Sequence, residues 1–247
     1  MLIFPKTKWL GRQIIYLKET TSTNDLAKQW INNNKSITEG VVFVADMQTE
    51  GRGRYERQWF SPGGQNLYMT FVLKPHVSSS ELPQLTFPIS LALLEACQLE
   101  VDDLQLKWPN DLMLHSKKVA GILLELEKGY VIAGIGLNIN QKEFPLQLQK
   151  IATSLSEATG KPLNRHKILL NLLEKIEKWY GYYLTHGFTP IKELWLDKTR
   201  LRGLKARLKN GEEVTLLDLT QEGSLLYEKK NKEKGVAFTG EEICYLP

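Results

Sequence analysis

The sequence has little of what metal centres, disulfide frameworks and membrane anchors require. Among its 247 residues there are two cysteines, Cys97 and Cys244, and four histidines, and they show no metal-ligand spacing. Free thiols of this kind suit a reducing compartment. The N-terminal segment lacks the apolar run of a signal peptide, and no window approaches the roughly 20 apolar residues that cross a bilayer. These absences disfavour a peptidase or metal hydrolase of the zinc type and predict a cytoplasmic protein.

Strong charge of one sign is also absent. The chain carries 32 basic and 28 acidic residues, a net charge of +4 that is spread along its length. A net charge this small is weak evidence for nucleic-acid binding. The short run KKNKEK at 229–234 is typical of a solvated turn. No internal repeat or low-complexity tract is present, so the composition is that of an ordinary globular protein.

The first 140 residues mix strand and helix patterns. A helix is expected directly after TTSTND, which offers several N-cap candidates. A second helix is predicted over 82–100, with Pro83 in its first turn and a possible kink at Pro88. Strands are predicted at 13–17, 41–46 and 66–74, followed by four closely spaced strands, LQLKW, DLMLH, VAGILLEL and YVIAGIGLNI. Short links between strands favour antiparallel pairing, and Lys128–Gly129 is typical of a hairpin turn.

The predicted secondary structure changes from helices to short strands near residue 200. Before it, a long amphipathic helix is predicted over 165–185 and a second one near 191–198. After it, short strands are separated by NG, EG and KG, as in a small β-barrel or meander. We therefore predict an α+β fold, with a mostly antiparallel sheet flanked by helices in residues 1–200 and a small all-β domain in residues 201–247.

An unusual loop stands out in the first domain. The stretch GRGRYERQW at 51–59 gathers three arginines and two glycines. Glycine lets a backbone approach a ligand closely, and arginine presents a planar fork of donors that suits carboxylate or phosphate. Since loops are also rich in these residues without any ligand, the stretch alone leaves an anion site and an ordinary surface loop equally open.

Five segments in a fixed order extend this pattern. They are TSTND at 21–25, Q-x-x-GRGR-x-x-x-x-W at 48–59, KWPNDL at 107–112, KKVAGILLE at 117–125 and GIGLNIN at 134–140. Together they resemble the biotin protein ligases, and GVAFTGEE near the C-terminus matches that family more loosely. The resemblance implies a ligase catalytic domain with a small SH3-like β-barrel. It also implies that biotin and ATP form biotinyl-5′-AMP, from which biotin passes to a lysine of a biotin carboxyl carrier protein.

This chemistry demands positive charge, because a carboxylate and a triphosphate must be brought together. The resemblance assigns that role to Arg52, Arg54 and Lys118, with Lys118 and Arg54 as catalytic residues. The alternative for Lys118 is a solvated lysine in a turn. Because a mixed anhydride hydrolyses in water, the glycine-rich loop is expected to close over it. The family often has a small residue where this chain has Glu56, whose carboxylate is a potential partner for a neighbouring arginine.

Biotin's ureido ring offers uncharged donors and an acceptor that a selective pocket must satisfy. The resemblance places Ser22, Thr23, Asn24 and Gln48 at the ring. The alternative for the first three is a helix N-cap, which is compatible with binding. The further biotin-binding residues are expected to be Arg52, Gly53 and Gly121, and the last of these permits close approach of the ligand to a strand.

The nucleotide is expected beside the remaining motifs. The resemblance implies Arg54, Lys107, Asn110 and Asn138 as ATP-binding residues, with Asp111 near a Mg²⁺ ion. Trp59 is expected to pack over the ligand, and a place in the core is equally compatible with its side chain. The alternative for KWPND is a simple turn. Residues 141–154 are predicted to cover the adenine.

Several properties remain as expectations or alternatives. Some family members carry an N-terminal helix-turn-helix that represses transcription, but the first predicted strand begins near residue 13, so operator DNA is not an expected partner. A homodimer is possible through an exposed sheet edge. Two other functions stay open, namely a lipoate or octanoate ligase of the same fold and a binding protein without ATP turnover.

Overall fold

The computed structural model describes residues 5–34, 37–75, 77–78, 80–238 and 243–246. The side chain of Glu56, for which pairing with an arginine was considered, lies outside the described residues. So does the second half of the GVAFTGEE segment, at 239–242.

A seven-stranded sheet forms the centre of the described part of the chain. Its strand order is β1-β2-β3-β7-β6-β5-β4. All seven residues of β3 are buried, because helices and the N-terminal segment cover the faces of the sheet at its centre. The strands are β1 Ile14–Thr20, β2 Val42–Gln48, β3 Leu67–Leu73, β4 Leu104–Lys107, β5 Asp111–Leu114, β6 Lys117–Glu127 and β7 Tyr130–Leu137.

The pairing of this sheet is antiparallel except between its first two strands. β1 and β2 are parallel, since helix α1 (Thr23–Asn33) crosses between them. β6 and β7 form the predicted hairpin, and both turn residues, Lys128 and Gly129, have positive φ angles, as a two-residue hairpin turn requires. The mostly antiparallel sheet predicted from the sequence is therefore confirmed.

Long helices cover one face of the sheet. The apolar stripe of α4 packs against α2 and the core, as its helical spacing predicted. Asn164 caps α4 by accepting a hydrogen bond from the Lys167 backbone N–H. The helices after α1 are α2 Thr86–Cys97, α3 Leu155–Thr159, α4 Arg165–His186 and α5 Phe188–Thr199.

Two helix predictions need correction. The segment predicted as one helix over 82–100 is a 3-10 turn at Leu82–Leu85 followed by α2. Pro88 is the third residue of α2, in its first turn, where a missing N–H costs no hydrogen bond. The short helix α3 was not predicted, because five residues carry too little periodicity to be recognised.

The C-terminal residues form a second, antiparallel sheet of five strands within the described part of the chain. Its order is β11-β10-β9-β8-β12. The α+β class with a small C-terminal β module is thereby confirmed, whereas the domain boundary near residue 200 stays a prediction. Among the described residues no helix is both long and apolar enough to span a bilayer. The strands are β8 Lys205–Leu208, β9 Glu213–Leu219, β10 Leu225–Lys229, β11 Lys234–Ala237 and β12 Ile243–Tyr245.

Candidate functional site

A cavity of about 900 Å³ opens on the face of the large sheet that carries α1 and the 49–65 loop. Every site residue predicted from the sequence lines it, although these residues come from five separate segments. They are Ser22, Thr23, Asn24, Gln48, Arg52, Gly53, Arg54, Trp59, Lys107, Asn110, Asp111, Lys118, Gly121 and Asn138.

Three glycines on β6 and β7 form the floor of the cavity. A Cβ atom at Gly134 would overlap the side-chain amide of Asn24, and one at Gly136 would lie 2.5 Å from the Trp59 indole. A Cβ at Gly121 would come within 3.1 Å of the Lys118 ammonium. The absence of side chains therefore lets three functional candidates lie directly on the strands. Gly134 and Gly136 are two positions apart on β7, so both lie under the same face of the sheet, and Gly121 on β6 pairs with Gly136. The contacts with Asn24, Trp59 and Lys118 are therefore arranged in a row.

The residues Ser22, Thr23, Asn24 and Gln48, which we call the polar end, surround the start of α1. Ser22 caps this helix, its Oγ accepting the Asn24 backbone N–H at 3.3 Å. The capping interpretation of this side chain is therefore correct, and it leaves the hydroxyl proton free to donate. Gln48 Oε1 accepts the Thr23 backbone N–H at 2.9 Å, and Gln48 Nε2 donates to Ser61 Oγ at 3.0 Å.

The Thr70 hydroxyl lies between Thr23 and Asn24 at the polar end. Thr70 Oγ1 lies 2.7 Å from Thr23 Oγ1 and 2.6 Å from Asn24 Oδ1, and it has one proton to give. Because an amide oxygen only accepts, Thr70 donates to Asn24 Oδ1. Thr23 has one hydroxyl proton, and the two acceptors within its reach are Thr70 Oγ1 and, at 3.2 Å, Gln48 Oε1.

Four charged side chains adjoin the polar end. Glu125 on β6 accepts from Asn24 Nδ2 at 2.7 Å and from Lys28 Nζ at 2.5 Å. Arg52 pairs closely with Asp25, and its Nη2 lies 3.8 Å from Glu125 Oε2. Burial raises the pKa of Glu125, but the hydrogen bonds from Lys28 and Asn24 outweigh that effect and hold it below its ordinary value. The group is therefore ionised at neutral pH, and the four side chains sum to zero net charge.

Lys118 lies further along the same face, beyond Trp59. Its Nζ is 2.5 Å from Asp111 Oδ1 and 5.3 Å from the centre of the Trp59 ring. With 32% of its side chain exposed, Lys118 is neither buried nor a fully solvated turn residue. A register shift between β5 and β6 next to Lys118 marks a bulge, which re-aims side chains at this end of the strand.

The arginine-rich loop reaches across the cavity to the KWPND turn. Arg54 Nη1 lies 3.4 Å from Asn110 Oδ1, and Asn110 Nδ2 donates to the Ile122 carbonyl at 2.6 Å. Arg54 Nη2 also donates to the Tyr55 hydroxyl at 2.7 Å. Tyr55 has a φ angle of 56°, which is unusual for a residue with a bulky side chain. Arg54 thus links the tip of the loop to the KWPND turn through Asn110.

Residues from both sheets complete the cavity. Lys107 Nζ lies 5.5 Å from the centre of the Tyr245 ring, and Asn138 Nδ2 donates to the Thr153 carbonyl at 3.1 Å. The 141–154 segment contributes Phe144, Leu148, Ile151 and Ala152 to the lining, whereas its covering of an adenine stays a prediction. The second sheet contributes Arg207, Leu208, Lys209, Ile243 and Cys244, which the sequence did not indicate.

Trp59 occupies the middle of the cavity. It lies on Gly136 and beside Gly121, and its Nε1 is buried without a hydrogen-bond partner in the described part of the chain. Its side chain is half-buried, so it is part of the cavity wall rather than of the core. This N–H lies over Gly136, so its hydrogen-bonding capacity is unused in this position of the side chain.

The residues of the cavity fit a magnesium ion that is also bound by the phosphates of a nucleotide, but not one held by protein side chains alone. Across the described residues, no group of three or more His, Cys, Asp and Glu side chains is placed to hold a metal. Mg²⁺ typically takes one or two carboxylates and fills its remaining positions with water and substrate phosphate. Asp111 supplies one such carboxylate at the cavity wall, beside Lys118.

The site geometry can now be compared with known proteins. A family model described as Biotin/lipoate A/B protein ligase family matches residues 16–141. The Bacillus subtilis protein named bifunctional ligase/repressor BirA is 40% identical over 237 residues, which are 90% of this chain and 71% of the relative. The Paracoccus denitrificans biotin–[acetyl-CoA-carboxylase] ligase is 34% identical over 198 residues, which are 76% of this chain and 81% of the relative.

Solved structures are similar over nearly the whole chain. The biotin protein ligase from Aquifex aeolicus in complex with biotin and ATP superimposes with a TM-score of 0.84 and 33% identity. The match covers 95% of this chain and 100% of that protein.

Proposed function

The chain belongs to the biotin/lipoate A/B protein ligase family, and from that premise we propose that it is an ATP-dependent biotin ligase. It activates biotin to biotinyl-5′-AMP and transfers the biotinyl group to a lysine of a biotin carboxyl carrier protein. The observation that carries the proposal is the single cavity in which an uncharged polar end and a group of cations lie along one row of glycines. The relatives named as biotin ligases and the structure with biotin and ATP support the same reaction.

The first step joins two anions. A biotin carboxylate oxygen attacks the α-phosphorus of ATP, the bond to the β-phosphate oxygen breaks, and pyrophosphate leaves. Lys118 and Arg54 supply the positive charge that offsets the repulsion and stabilises the charge on the equatorial phosphate oxygens. Lys118 is already positioned on the floor beside Gly121, so only its pairing with Asp111 must be exchanged for the ligand.

The polar end holds the ureido ring while the carboxylate points towards Lys118. Ser22, Thr23, Asn24 and Gln48 together offer hydroxyl, amide and backbone groups to the ring's two N–H donors and its carbonyl. Arg52 and Gly53 bring the loop over the ring, and Trp59 separates the ring from the phosphates. The four charged side chains that adjoin the polar end sum to zero net charge, which is compatible with binding an uncharged ring there.

In the second step the amine of the acceptor lysine attacks the biotinyl carbonyl carbon. The anhydride bond to AMP breaks, an amide forms, and the amine proton leaves with solvent. The loop at 51–59 excludes water from the mixed anhydride in the meantime. Lys107, Asn110 and Asn138 hold the nucleotide, and the 141–154 segment covers the adenine.

A magnesium ion belongs to this proposal as the partner of the nucleotide. Asp111 is the residue that would hold it. When bound, the ion neutralises charge on the leaving pyrophosphate. Operator DNA is not included as a partner, and a homodimer through a sheet edge remains a prediction.

Pyrophosphate exchange tests the first step. Incubation with ATP and labelled pyrophosphate should return label to ATP only when biotin is added, and lipoate or octanoate should support little exchange. Exchange that is faster with lipoate would instead establish the lipoate ligase, the alternative that the family description also covers. No exchange with any of the three acids would favour a binding protein.

A further inference from the structure

We propose that Glu125 is a positioning residue that sets the preference of this site for a cyclic urea. It does so by fixing which way the side-chain amide of Asn24 points. The inference rests on the proposed function, because it concerns how the ring end of biotin is recognised. Glu125 lies within one of the motif segments, but nothing in its sequence context assigns it a contact with the ring-binding residues.

The geometry gives Asn24 only one orientation. An asparagine amide can turn by 180° and exchange its oxygen and nitrogen, and its neighbours decide between the two states. Glu125 Oε2 lies 2.7 Å from the Asn24 amide, and an ionised carboxylate can only accept a hydrogen bond. Nitrogen must therefore face Glu125, and Oδ1 must face Thr70, 2.6 Å away.

This orientation leaves a defined set of groups for the ligand. Asn24 is 3% exposed and lines the cavity directly over Gly134. With one N–H engaged by Glu125 and one lone pair engaged by Thr70, it retains one lone pair and one N–H. An oxygen fixed towards Thr70 can accept a ureido N–H. In the turned state the Asn24 oxygen would face the ionised Glu125 carboxylate, so two acceptors would meet with no proton between them.

Lys28 holds Glu125 in the state that this function requires. It lies one helical turn after Asn24 on α1, and its Nζ is 2.5 Å from Glu125 Oε1. The helix thus binds the carboxylate at two points and places it against the strand. Arg52 approaches the same carboxylate at 3.8 Å and is paired with Asp25, so the positive charge of the loop is balanced where the uncharged ring lies.

The experiment compares Glu125→Gln with the wild type by titration calorimetry of the full chain. Glutamine keeps the size of the side chain but presents an amide that fits either state of Asn24. The affinities for biotin and for desthiobiotin, which retains the cyclic urea, should each fall about tenfold, the effect of losing one hydrogen bond between uncharged groups. The affinity for ATP should stay within about twofold, because the nucleotide end does not contact Glu125.

A matched control variant tests whether the effect is specific to Glu125, and a second variant tests the same contact from the Lys28 side. Glu127→Gln removes a carboxylate two residues along the same strand that takes part in none of these contacts, and it should bind biotin like the wild type. Lys28→Met should weaken biotin binding in the same direction as Glu125→Gln. It also serves as the test if Glu125→Gln fails to fold.

A double-mutant cycle decides whether Glu125 acts through Asn24. In the Asn24→Ala background, Glu125→Gln should change the affinity for biotin by less than about twofold, since there is no amide left to orient. A further tenfold loss in that background, or unchanged binding of biotin by Glu125→Gln itself, overturns the inference. A wild type that does not bind biotin at all would instead overturn the proposed function.

Selectivity supplies a second readout. In pyrophosphate exchange, the ratio of kcat/KM for biotin to that for octanoate should fall with Glu125→Gln and be unchanged with Glu127→Gln. Octanoate has a carboxylate and an apolar chain but no ring, so its own kcat/KM should not change. An equal loss for both acids would indicate a general structural defect and contradict the inference.

Discussion

Three cations of the cavity have polar partners before any ligand arrives. Lys118 pairs with Asp111, Arg54 contacts Asn110, and Arg52 pairs with Asp25. These pairs hold the side chains near their working positions, so less conformational entropy is lost when a ligand binds. They also compete with the ligand, and binding must replace a carboxylate of the protein by a carboxylate or phosphate of the substrate.

Lys118 is the first residue whose removal should be decisive. We expect Lys118→Ala to slow adenylate formation by about 10²-fold or more, the size of effect found when one oriented donor to a developing charge is lost. Biotin-dependent pyrophosphate exchange measures this step. Lys117→Ala is the matched control, because Lys117 is adjacent and its Nζ donates to the Gln149 carbonyl at 3.0 Å, outside the cavity lining. A loss of less than about tenfold in Lys118→Ala would remove it from the central role.

Arg54 should affect retention of the intermediate as well as its formation. The residue anchors the loop tip through Asn110 and Tyr55, so Arg54→Gly should weaken closure over the anhydride. We expect biotinyl-5′-AMP to appear in solution faster than from the wild type, as measured by chromatography of the filtrate when no acceptor is present. A variant that releases no more of it than the wild type does would show that this contact is not part of a lid.

The sequence indicated the residues that we assign to the reaction but not those that position them. Asn24 and Lys118 belong to motifs, and both line the cavity as expected. The sequence pattern is that of an amphipathic helix with Lys28 and Asp25 on its surface. Their positioning role follows only from the contacts of Lys28 with Glu125 and of Asp25 with Arg52. Asn24 and Glu125 are 101 positions apart, and no local pattern predicts which residues on facing elements will meet.

At the scale of elements, α4 fastens the N-terminal segment to the body of the protein. Glu177 on this helix accepts the backbone N–H groups of Lys8, Trp9 and Leu10, at distances of 2.7 to 3.0 Å. Burial raises the pKa of Glu177, but these three hydrogen bonds outweigh it, so the pKa lies below its ordinary value. An ionised carboxylate thus replaces the strand or helix partners that this segment lacks.

The pH dependence of this contact follows from the lowered pKa. Glu177→Gln should lower the free energy of unfolding at pH 7 by about 1 kcal/mol, a modest value because the carboxylate is partly exposed. Since the folded pKa is below the unfolded one, the contribution is complete above about pH 4.3 and is lost as the pH falls through the folded pKa. Urea unfolding at pH 7 and at pH 3 measures both values. A difference between variant and wild type that is as large at pH 3 as at pH 7 would contradict this account.

Elements with strong periodicity were predicted well, and those decided by tertiary contacts were not. The apolar stripe of α4 and the alternation of β3 sufficed to locate both. The parallel pairing of β1 with β2 was not anticipated, because it depends on the crossover of α1 above the sheet rather than on either strand. The division of the 82–100 segment into a 3-10 turn and α2 reflects packing of the turn, for which the sequence carries no periodic signal.

At the scale of the whole molecule, the two sheets meet at the wall of the cavity. Trp108 donates its Nε1 hydrogen to the Gly223 carbonyl at 3.0 Å, and its backbone N–H donates to the Tyr245 hydroxyl at 3.3 Å. Burial raises the pKa of Tyr245, so this hydroxyl stays neutral at physiological pH. Trp108 precedes the turn that carries Asn110, and the small sheet therefore helps to fix one side of the candidate nucleotide site.

A substitution at Gly223 should affect both the free energy of unfolding and the binding of ATP, because this residue, between β9 and β10 of the small sheet, contacts Trp108, between β4 and β5 of the large sheet. It has a φ angle of +82°, and a Cβ atom there would lie 2.6 Å from the buried ring of Phe87. Gly211 has a φ angle of +89° and no neighbour within 4 Å of its Cβ position, so it shares the backbone requirement without the contact. Gly211→Ala should then cost about 1–2 kcal/mol for the left-handed backbone alone. Gly223→Ala should cost about 1–3 kcal/mol more, because the packing against Phe87 must open.

The two alanine variants also separate stability from function. Opening the contact at Phe87 moves the Gly223 carbonyl away from Trp108, so Gly223→Ala should raise the KM for ATP in pyrophosphate exchange, whereas Gly211→Ala should leave it unchanged. Urea unfolding followed by tryptophan fluorescence gives the free energies, and a single transition in both variants is expected if the two sheets unfold together. Equal losses of stability in the two variants, with equal KM values for ATP, would mean that the small sheet merely adjoins the cavity and does not support it.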